Sequence, residues 1–413
     1  MLENTSKSIL TLLLKELVHS YYPEKSYIYY MDIQKARSLF PYLKTGKIYF
    51  GHASTAPLST YVANRLKEYI HVRSETKIDD YTAVLKSMEN VKKGLSAMIN
   101  STPDRIAFTD NTNNGINMLA QSVVWKPNNR IILNDIEFPA NVYPFMNLKS
   151  RGVQIDFVKS HQGIVSAENI INAITSDTRL ISVSQVQFLT GYRVDLDILG
   201  KACKEKGIIF SVDAIQGLGA VRLDVQKSHI DFISCGTQKW LLGLQGLAFI
   251  YLSKELQESM HPSQPGWLSV NDAWNLLDFN LNLKQTAEVF QSGTMNYPGI
   301  HAMDASLKLF NEFGFDEIEE RIVSNSVYFI SSLKEIGITP FLSDVDKKYL
   351  SGIVSFEHPS ADKIFHELLH RNIISSLRDR VIRFAHHFYN TEDDIDKVIS
   401  ALKEIQQTLP PIK

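Results

Sequence analysis

Between residues 60 and 255, short apolar segments alternate with longer segments of helical periodicity. The apolar segments are rich in valine, isoleucine and phenylalanine, and in chain order they read RIAFTD, RIILND, VQIDFV, RLISVSQVQF, GIIFSVDA, DFISCG and LAFIYL. Continuous apolar strands that are separated by helices are typical of a mostly parallel sheet with helices covering both of its faces. The sequence therefore predicts a large α/β domain, which we assign to residues 61–290.

The pattern changes after about residue 300, where two long helical segments precede the strand-like segments SGIVSFE and RVIRFAHH and a closing helix. This order indicates a smaller α+β domain, formed by residues 291–413 together with residues 1–60. Near the N-terminus, SILTLLLKELV has apolar residues at helical spacing and predicts an amphipathic helix. Since a membrane span needs about 20 apolar residues, this shorter run predicts no membrane insertion.

Charge and cysteine content restrict the class of protein. The 43 lysines and arginines nearly balance the 45 aspartates and glutamates, and no long basic run occurs, which argues against nucleic acid as a partner. Two cysteines, Cys203 and Cys235, are too few for a disulfide scaffold and fit a reducing compartment, so we expect a cytoplasmic protein. His386 and His387 are adjacent and would point to opposite faces of a strand, so they predict no metal site.

A lysine and an aspartate stand where chemistry is expected. Lys239 lies in CGTQKWLLG among small, apolar and aromatic residues, and lysine is rarely buried without a reason. Its side chain either reaches water along an apolar surface or is kept uncharged to react with a carbonyl group. Asp213 ends the apolar segment GIIFSVDA. Because the ends of parallel strands collect at one edge of a sheet, the two side chains are expected to share a cleft.

Two further segments carry features of a binding site. In FTDNTNNGINMLA a strand ends and a helix begins, and the free N–H groups of a helix N-terminus suit a phosphate, although the same residue types are also common helix caps. Arg383 lies in an apolar strand and needs an anionic partner, for which a substrate carboxylate is one candidate. A lysine, an aspartate, a phosphate cradle and an arginine together match the requirements of pyridoxal phosphate.

The chain contains, in this order, the motifs VDAIQGLG, DFISCGTQKWLLGLQGLAFIYL, FQSGTMN and IRFAHHFYNT. It thereby resembles the class V, fold-type I pyridoxal-phosphate enzymes, in the branch of cysteine desulfurase-like, isopenicillin epimerase-like and kynureninase-like proteins. The resemblance extends from IYFGHASTAPLS to HFYNTEDDID. It implies a large domain with a mostly parallel sheet covered by helices on both faces, a smaller α+β domain, and pyridoxal 5′-phosphate as the cofactor.

The resemblance also assigns roles around the cofactor ring. Lys239 would form the Schiff base and move the proton at the substrate Cα. Asp213 would face the pyridine nitrogen, and Gln216 would reach the phenolic oxygen. Phe138, in DIEFPAN, would stack on the ring. These residues form the predicted catalytic centre.

Other positions are assigned to the phosphate and to the second subunit. Thr112 and Asn113 stand where the family binds phosphate, and Thr237 is expected among the cofactor contacts. Thr294, in FQSGTMN, matches a threonine that reaches the phosphate from the other subunit. The resemblance therefore implies a homodimer.

The substrate side is assigned in the same way. Arg383 would clamp the α-carboxylate of an amino acid, and Ala53, in GHASTAP, belongs to the segment that lines the substrate side. Arg378 is either a second arginine that touches the substrate or a solvated hairpin residue.

The chain departs from the cysteine desulfurases at three places. Gln238 replaces the histidine before the lysine, LLHRNIISSLRDRVIR lacks the cysteine that accepts sulfur, and Phe188 replaces an asparagine for which Gln185 or Gln187 can substitute. The first prediction is therefore a class V aminotransferase-like enzyme that performs transamination or epimerisation at Cα. The alternative is a lyase that cleaves a Cβ–S or Cβ–Se bond without a catalytic cysteine. A third hypothesis is an inactive regulatory partner that binds the cofactor.

Overall fold

The computed structural model describes residues 31–409, so the helix predicted in SILTLLLKELV lies outside the described residues. The strands of this part are β1 (Ile48–Tyr49), β2 (Ile106–Thr109), β3 (Arg130–Asn134), β4 (Gln154–Val158), β5 (Thr178–Ser184), β6 (Ile209–Asp213), β7 (Phe232–Gly236), β8 (Ala248–Leu252), β9 (Ile353–Glu357), β10 (Ile373–Ile374), β11 (Ser376–Arg378) and β12 (Val381–Ala385). The α-helices are α1 (Ile33–Ser38), α2 (Thr60–His71), α3 (Tyr81–Met98), α4 (Thr112–Ser122), α5 (Tyr143–Met146), α6 (Ala167–Asn172), α7 (Leu196–Lys206), α8 (Lys254–Glu258), α9 (Tyr297–Phe313), α10 (Phe315–Glu335), α11 (Ala361–His370) and α12 (Glu392–Gln406).

Seven strands form the main sheet, in the order β2-β8-β7-β6-β5-β3-β4. Strand β8 runs antiparallel to both of its neighbours, and the other paired strands are parallel. The central strands β6, β7 and β8 are buried along their whole length, which explains their uninterrupted apolar sequences. The predicted α/β fold with a mostly parallel sheet is confirmed, and the seven predicted segments match its seven strands, although β5 begins one residue before its segment, at Thr178.

The strand directions bring functional segments to one edge of the main sheet. Strands β2, β3, β5, β6 and β7 all end there, at Thr109, Asn134, Ser184, Asp213 and Gly236. Helix α4 packs closely on β7 at this edge. A Cβ atom on Gly115 would lie 2.2 Å from the Ser234 Oγ, so a glycine is required for that approach.

A second sheet is built from the C-terminal part, with β12 between β11 and β9 in antiparallel pairing. The loop that follows β1 joins this sheet through a bridge between Gly51 and Ala385. Thr391 caps the closing helix α12: its side chain accepts from the Asp394 N–H and the Asp394 carboxylate accepts from the Thr391 N–H. The predicted boundary between the two domains stays a prediction.

Residues 31–409 contain neither a helix suited to a membrane nor a cluster of metal-binding side chains. None of their helices is long and apolar enough to cross a membrane. None of their His, Cys, Asp and Glu side chains gather in a group of three or more that could hold a metal ion.

Candidate active site

Lys239 follows β7 in a turn that returns the chain to β8. The Thr237 hydroxyl, which is 1% exposed, donates to the carbonyl oxygens of Leu244 and Leu247 at 2.9 and 3.0 Å and so holds this turn. The hydroxyl of Thr237 is thus used within the 244–247 loop, and its expected contact with the cofactor stays a prediction. Its role is to fix the backbone from which Lys239 projects.

The Lys239 amine lies in a poorly solvated place without an ion pair in the described part of the chain. Its side chain is half-buried, and its Nζ is 5.8 Å from the centre of the Phe138 ring. Burial lowers the pKa of Lys239 to about 8, against the opposing effect of Asp213, and the positive charge of Arg383 lowers it further. A larger fraction of this amine is therefore neutral near pH 7 than of an ordinary lysine, as a nucleophile or proton acceptor requires.

Asp213 ends β6 and carries a buried carboxylate, 2% exposed. The Ile215 N–H donates to its Oδ1 at 3.0 Å. Burial raises the pKa of Asp213 to about 7, the nearby Glu137 adds to the rise, and Lys239 opposes it. A buried carboxylate with so little compensation calls for a further cation, and the protonated ring nitrogen of pyridoxal phosphate is such a group.

The N-terminus of α4 offers donors beside these two residues. The Asn111 side chain caps the helix by accepting from the Asn114 N–H at 2.9 Å. The Thr112 hydroxyl is buried and accepts from the Gly236 N–H at 3.0 Å, which leaves its own O–H as a donor. Asn113 is half-buried in the same first turn. This end of the helix has the N–H groups and dipole that suit the cofactor phosphate.

An aromatic ring lies open to the cleft. Phe138 is 45% exposed and contacts Phe188 edge to face, with 5.3 Å between the ring centres. Its position next to Lys239 agrees with the predicted stacking role, which stays a prediction.

Gln216 connects the segment after β1 to Trp240, the residue that follows Lys239. Its Nε2 donates to the Ala53 carbonyl at 2.9 Å, and its Oε1 accepts from the Trp240 indole at 3.0 Å. The Gln216 amide has a second hydrogen for the predicted contact with the ring oxygen. Ala53 is 2% exposed and its carbonyl holds Gln216, while the next residue, Ser54, bonds to Arg383. The predicted place of Ala53 on the substrate side stays a prediction.

Two arginines donate to the hydroxyl of Ser54. Ser54 was not among the site residues predicted from the sequence. Arg383 is 1% exposed, and its guanidinium donates to the Phe188 carbonyl at 2.6 Å and to the Ser54 Oγ at 3.2 Å. The exposed Arg378 also donates to the Ser54 Oγ at 3.2 Å. Within residues 31–409, no carboxylate pairs with either guanidinium. This pair of positive charges therefore has the character of a site for an anion such as a carboxylate.

Three further predicted positions are the glutamines Gln185 and Gln187 and the expected interface residue Thr294. The Gln185 amide donates to the Arg222 carbonyl at 2.9 Å, away from Lys239, whereas the Gln187 amide donates to Glu137 at 3.0 Å. Both amides therefore donate within the chain, and the compensation for Phe188 by either glutamine stays a prediction. Thr294 is exposed, and its contact with a second subunit stays a prediction.

A neutral histidine packs behind the lysine. The His387 Nε2 donates to the Trp240 carbonyl at 3.0 Å, and its Nδ1 accepts from the Phe388 N–H at 2.9 Å. Both ring nitrogens are thus satisfied in the neutral form. Burial lowers the pKa of His387 to about 3 from the ordinary 6.5.

The His387→Gln variant is expected to lose part of the pH dependence of stability. Between pH 3 and 6.5 the unfolded state binds a proton at this histidine and the folded state does not, so the contribution of His387 is complete above pH 6.5 and falls with decreasing pH. From pH 7 to pH 5 this loss is about 2 kcal/mol. We expect urea titrations at both pH values to give a difference in unfolding free energy that is smaller by this amount in the variant. An equal difference in both proteins would show that His387 is protonated in the folded state.

Comparison with known proteins adds to this geometry. The sequence model of the family described as Aminotransferase class-V matches residues 48–398. The chain is 25% identical over 369 residues to the uncharacterized aminotransferase YcbU of Bacillus subtilis, covering 89% of this chain and 97% of that protein. It is 26% identical over 404 residues to a probable cysteine desulfurase of Methanothermobacter thermautotrophicus, covering 91% and 98%.

A solved structure with the same fold is that of the cystine C-S lyase C-DES in complex with its reaction product, cysteine persulfide. The TM-score is 0.81 at 21% sequence identity, and the match covers 88% of this chain and 99% of that chain. At this identity the likeness establishes the fold.

Proposed function

Because the chain belongs to the aminotransferase class-V family, which depends on pyridoxal 5′-phosphate, we propose that it is a lyase that cleaves the Cβ–S bond of cysteine or cystine. The reaction predicted first from sequence, transamination or epimerisation at Cα, gives way to the lyase alternative. The names of the relatives support this change, since they include several probable cysteine desulfurases and a kynureninase, and the cystine lyase has the same fold.

The side chains at the sheet edge fit the cofactor. Lys239 would hold its aldehyde, Asp213 its ring nitrogen, Phe138 one face of its ring, and Thr112 and Asn113 its phosphate. When bound, the cofactor supplies an aldehyde that condenses with amines and a ring that withdraws electrons from the substrate Cα.

The residues of the chain then have distinct tasks in the proposed reaction. Arg383, fixed by the Phe188 carbonyl and Ser54, would bind the α-carboxylate and thereby orient the substrate. The neutral amine of Lys239 would take the proton from Cα, because its lowered pKa makes it a base near neutral pH. The edge-to-face pair of Phe138 and Phe188 would keep water from this side of the cleft.

The observation that carries a lyase over a desulfurase is the state of the cysteines. A desulfurase passes the sulfur to a thiolate of its own, and the chain has two cysteines. Cys203 is 1% exposed and Cys235 is fully buried. Burial raises the pKa of Cys203 to about 12 and that of Cys235 well above its ordinary value. Neither thiol is therefore suited to accept sulfur.

The hairpin formed by β11 and β12, which carries Arg383, supports the same conclusion. Strands β11 and β12 are joined by a tight turn at Asp379 and Arg380, and Asp379 has a φ of +52°. This turn occupies the stretch in which the resemblance to desulfurases calls for a mobile loop with a cysteine. Arg378, the last residue of β11, borders this turn and donates to the Ser54 hydroxyl, as Arg383 does.

Without an enzyme thiol, the sulfur must leave in a small molecule. In the proposed reaction, cysteine and water give pyruvate, ammonia and hydrogen sulfide. Cystine and water give pyruvate, ammonia and cysteine persulfide. In both cases the Cβ–S electron pair leaves with sulfur, and no external oxidant or reductant is needed.

The variant with both Cys203→Ala and Cys235→Ala is expected to keep wild-type turnover of cysteine and cystine. The measurement is the release of pyruvate, ammonia and sulfide or persulfide by the purified, cofactor-loaded protein. Loss of turnover in a folded double variant would instead indicate a persulfide-forming desulfurase. Conversion of amino acids into the corresponding keto acids without release of sulfur would indicate an aminotransferase. Cofactor binding without turnover of any amino acid would favour the regulatory partner.

We also propose a cytoplasmic homodimer. Both cysteines are unpaired, which suits a reducing compartment. Thr294 is exposed in the single chain. A residue that reaches into a second subunit must be exposed in this way.

A further inference from the structure

A buried carboxylate outside the predicted set lies beside the cofactor site. Glu137 is 7% exposed and accepts hydrogen bonds from five donors. Its Oε1 accepts from the Asn134 amide, the Ser184 N–H and the Gln187 amide at 2.6, 2.9 and 3.0 Å. Its Oε2 accepts from the Ser184 hydroxyl at 2.6 Å and from the Asn141 amide at 3.1 Å. We call these four residues the donor cage.

The donor cage matches a carboxylate, which accepts hydrogen bonds and donates none. All five groups donate to Glu137, and four of them are N–H groups that cannot accept a hydrogen bond. The amide nitrogen of Gln187 donates to Glu137, while the Gln187 Oε1 is buried and has no hydrogen-bond partner among residues 31–409. In the same part of the chain, no lysine, arginine or histidine forms an ion pair with Glu137. The cage therefore stabilises a negative charge that is not neutralised by a cation.

This charge is adjacent to Asp213. In the pairing of β5 with β6, Ser184 is the register partner of Asp213, and Ser184 gives both its N–H and its hydroxyl to Glu137. Other charged or titratable groups that act on the Asp213 and Lys239 pair are Cys235, Arg383 and Arg378. Glu137 is the one among these groups that adds a second negative charge beside Asp213.

We propose that Glu137 is a positioning residue for the cofactor: its caged negative charge keeps a proton on the acid–base pair formed by Asp213 and the ring nitrogen. Without a second charge nearby, the proton shared by Asp213 and the ring nitrogen could be lost to solvent, and a single negative charge would remain on Asp213. Beside the fixed charge of Glu137, the same loss would leave two negative charges next to each other and is therefore less favourable. The ring then stays protonated, which is the state in which it withdraws electrons.

A purely structural role would have a different signature. If the cage only anchored the Phe138 loop to β5, removing any of its hydrogen bonds would loosen the loop, whether or not the charge remained. If the charge matters, variants that keep it should behave like the wild type. Ser184→Ala is the matched control, because it removes the shortest bond to the Glu137 Oε2 and keeps the carboxylate.

The test is a pH titration of the visible absorbance of the cofactor-loaded protein without substrate. In Glu137→Gln we expect the pH at the midpoint of this titration to fall by about 1 pH unit, because one neighbouring negative charge has been removed. We also expect the dissociation constant of pyridoxal phosphate to rise about tenfold. In Ser184→Ala the midpoint should stay at the wild-type value. If Glu137→Gln is recovered unfolded, Glu137→Ala carries the same expectation, because water in its cavity can satisfy the donors.

Two results would overturn the inference: an unchanged midpoint in a folded Glu137 variant, or an equal shift in Ser184→Ala. The inference rests on the proposed cofactor site and is independent of the proposed lyase reaction. If wild-type protein binds the cofactor but cleaves no Cβ–S bond, the titration still decides the role of Glu137. If wild-type protein develops no cofactor absorbance, both the site and the inference are wrong.

Discussion

Lys239→Met is expected to abolish covalent attachment of pyridoxal phosphate and to lower turnover by at least about 10³-fold, the range lost with a nucleophile or general base. Methionine preserves the length of the side chain and removes the amine, so the fold should persist. The measurement is the intact mass of the protein after incubation with the cofactor and reduction with borohydride. Wild-type protein should gain one reduced cofactor and the variant none.

A second buried lysine provides the control. Lys92 is 6% exposed and pairs with Glu288, and burial lowers its pKa as it does for Lys239. Lys92→Met should therefore keep the cofactor and lose stability instead, since it leaves a carboxylate without one of its partners. Attachment that persists in Lys239→Met and disappears in Lys92→Met would reverse the assignment.

The comparison of these lysines explains what the sequence could predict. The sequence reveals that a lysine is buried, because its neighbours in the chain are apolar, but it does not reveal which residue the lysine contacts. Lys92 meets a residue almost two hundred positions away, whereas Lys239 is placed by the strand order next to Asp213. The alternation of strands and helices predicts that order, and with it the edge at which the site forms. Sequence pattern was therefore sufficient for the sheet and for the Lys239 and Asp213 pair.

The site residues that were missed depend on contacts between distant segments. Ser54 gains its role from a hairpin more than three hundred residues later. Glu137 gains its role from donors on its own loop and on β5. Thr237 is a related case: its position close to Lys239 is visible in the sequence, but the hydrogen bonds from its hydroxyl to the 244–247 loop are not. No periodicity or spacing records such hydrogen bonds.

Arg383→Lys is expected to lower kcat/KM by about 10²- to 10⁴-fold, mostly through KM, which is the cost of losing two charge-assisted hydrogen bonds of about 1.5–3 kcal/mol each. The positive charge is kept, but an ammonium group has no planar fork. The guanidinium is fixed by the Phe188 carbonyl, Ser54 and Ser376, and a lysine cannot make these three bonds and also bind a carboxylate. Steady-state kinetics with cysteine and cystine measure the effect.

Arg378→Lys separates orientation from charge at the same site. Arg378 is exposed and donates to Ser54 at the rim, so its replacement by lysine should change kcat/KM by less than about tenfold. Cysteamine, an amine without the carboxylate, provides a second control: its affinity should be nearly the same in wild type and in Arg383→Lys. A large loss of cysteamine affinity in Arg383→Lys would mean that the arginine supports the cleft itself. Equal losses of kcat/KM in the two variants would mean that the substrate carboxylate is bound by charge alone and that the fixed geometry of Arg383 contributes nothing.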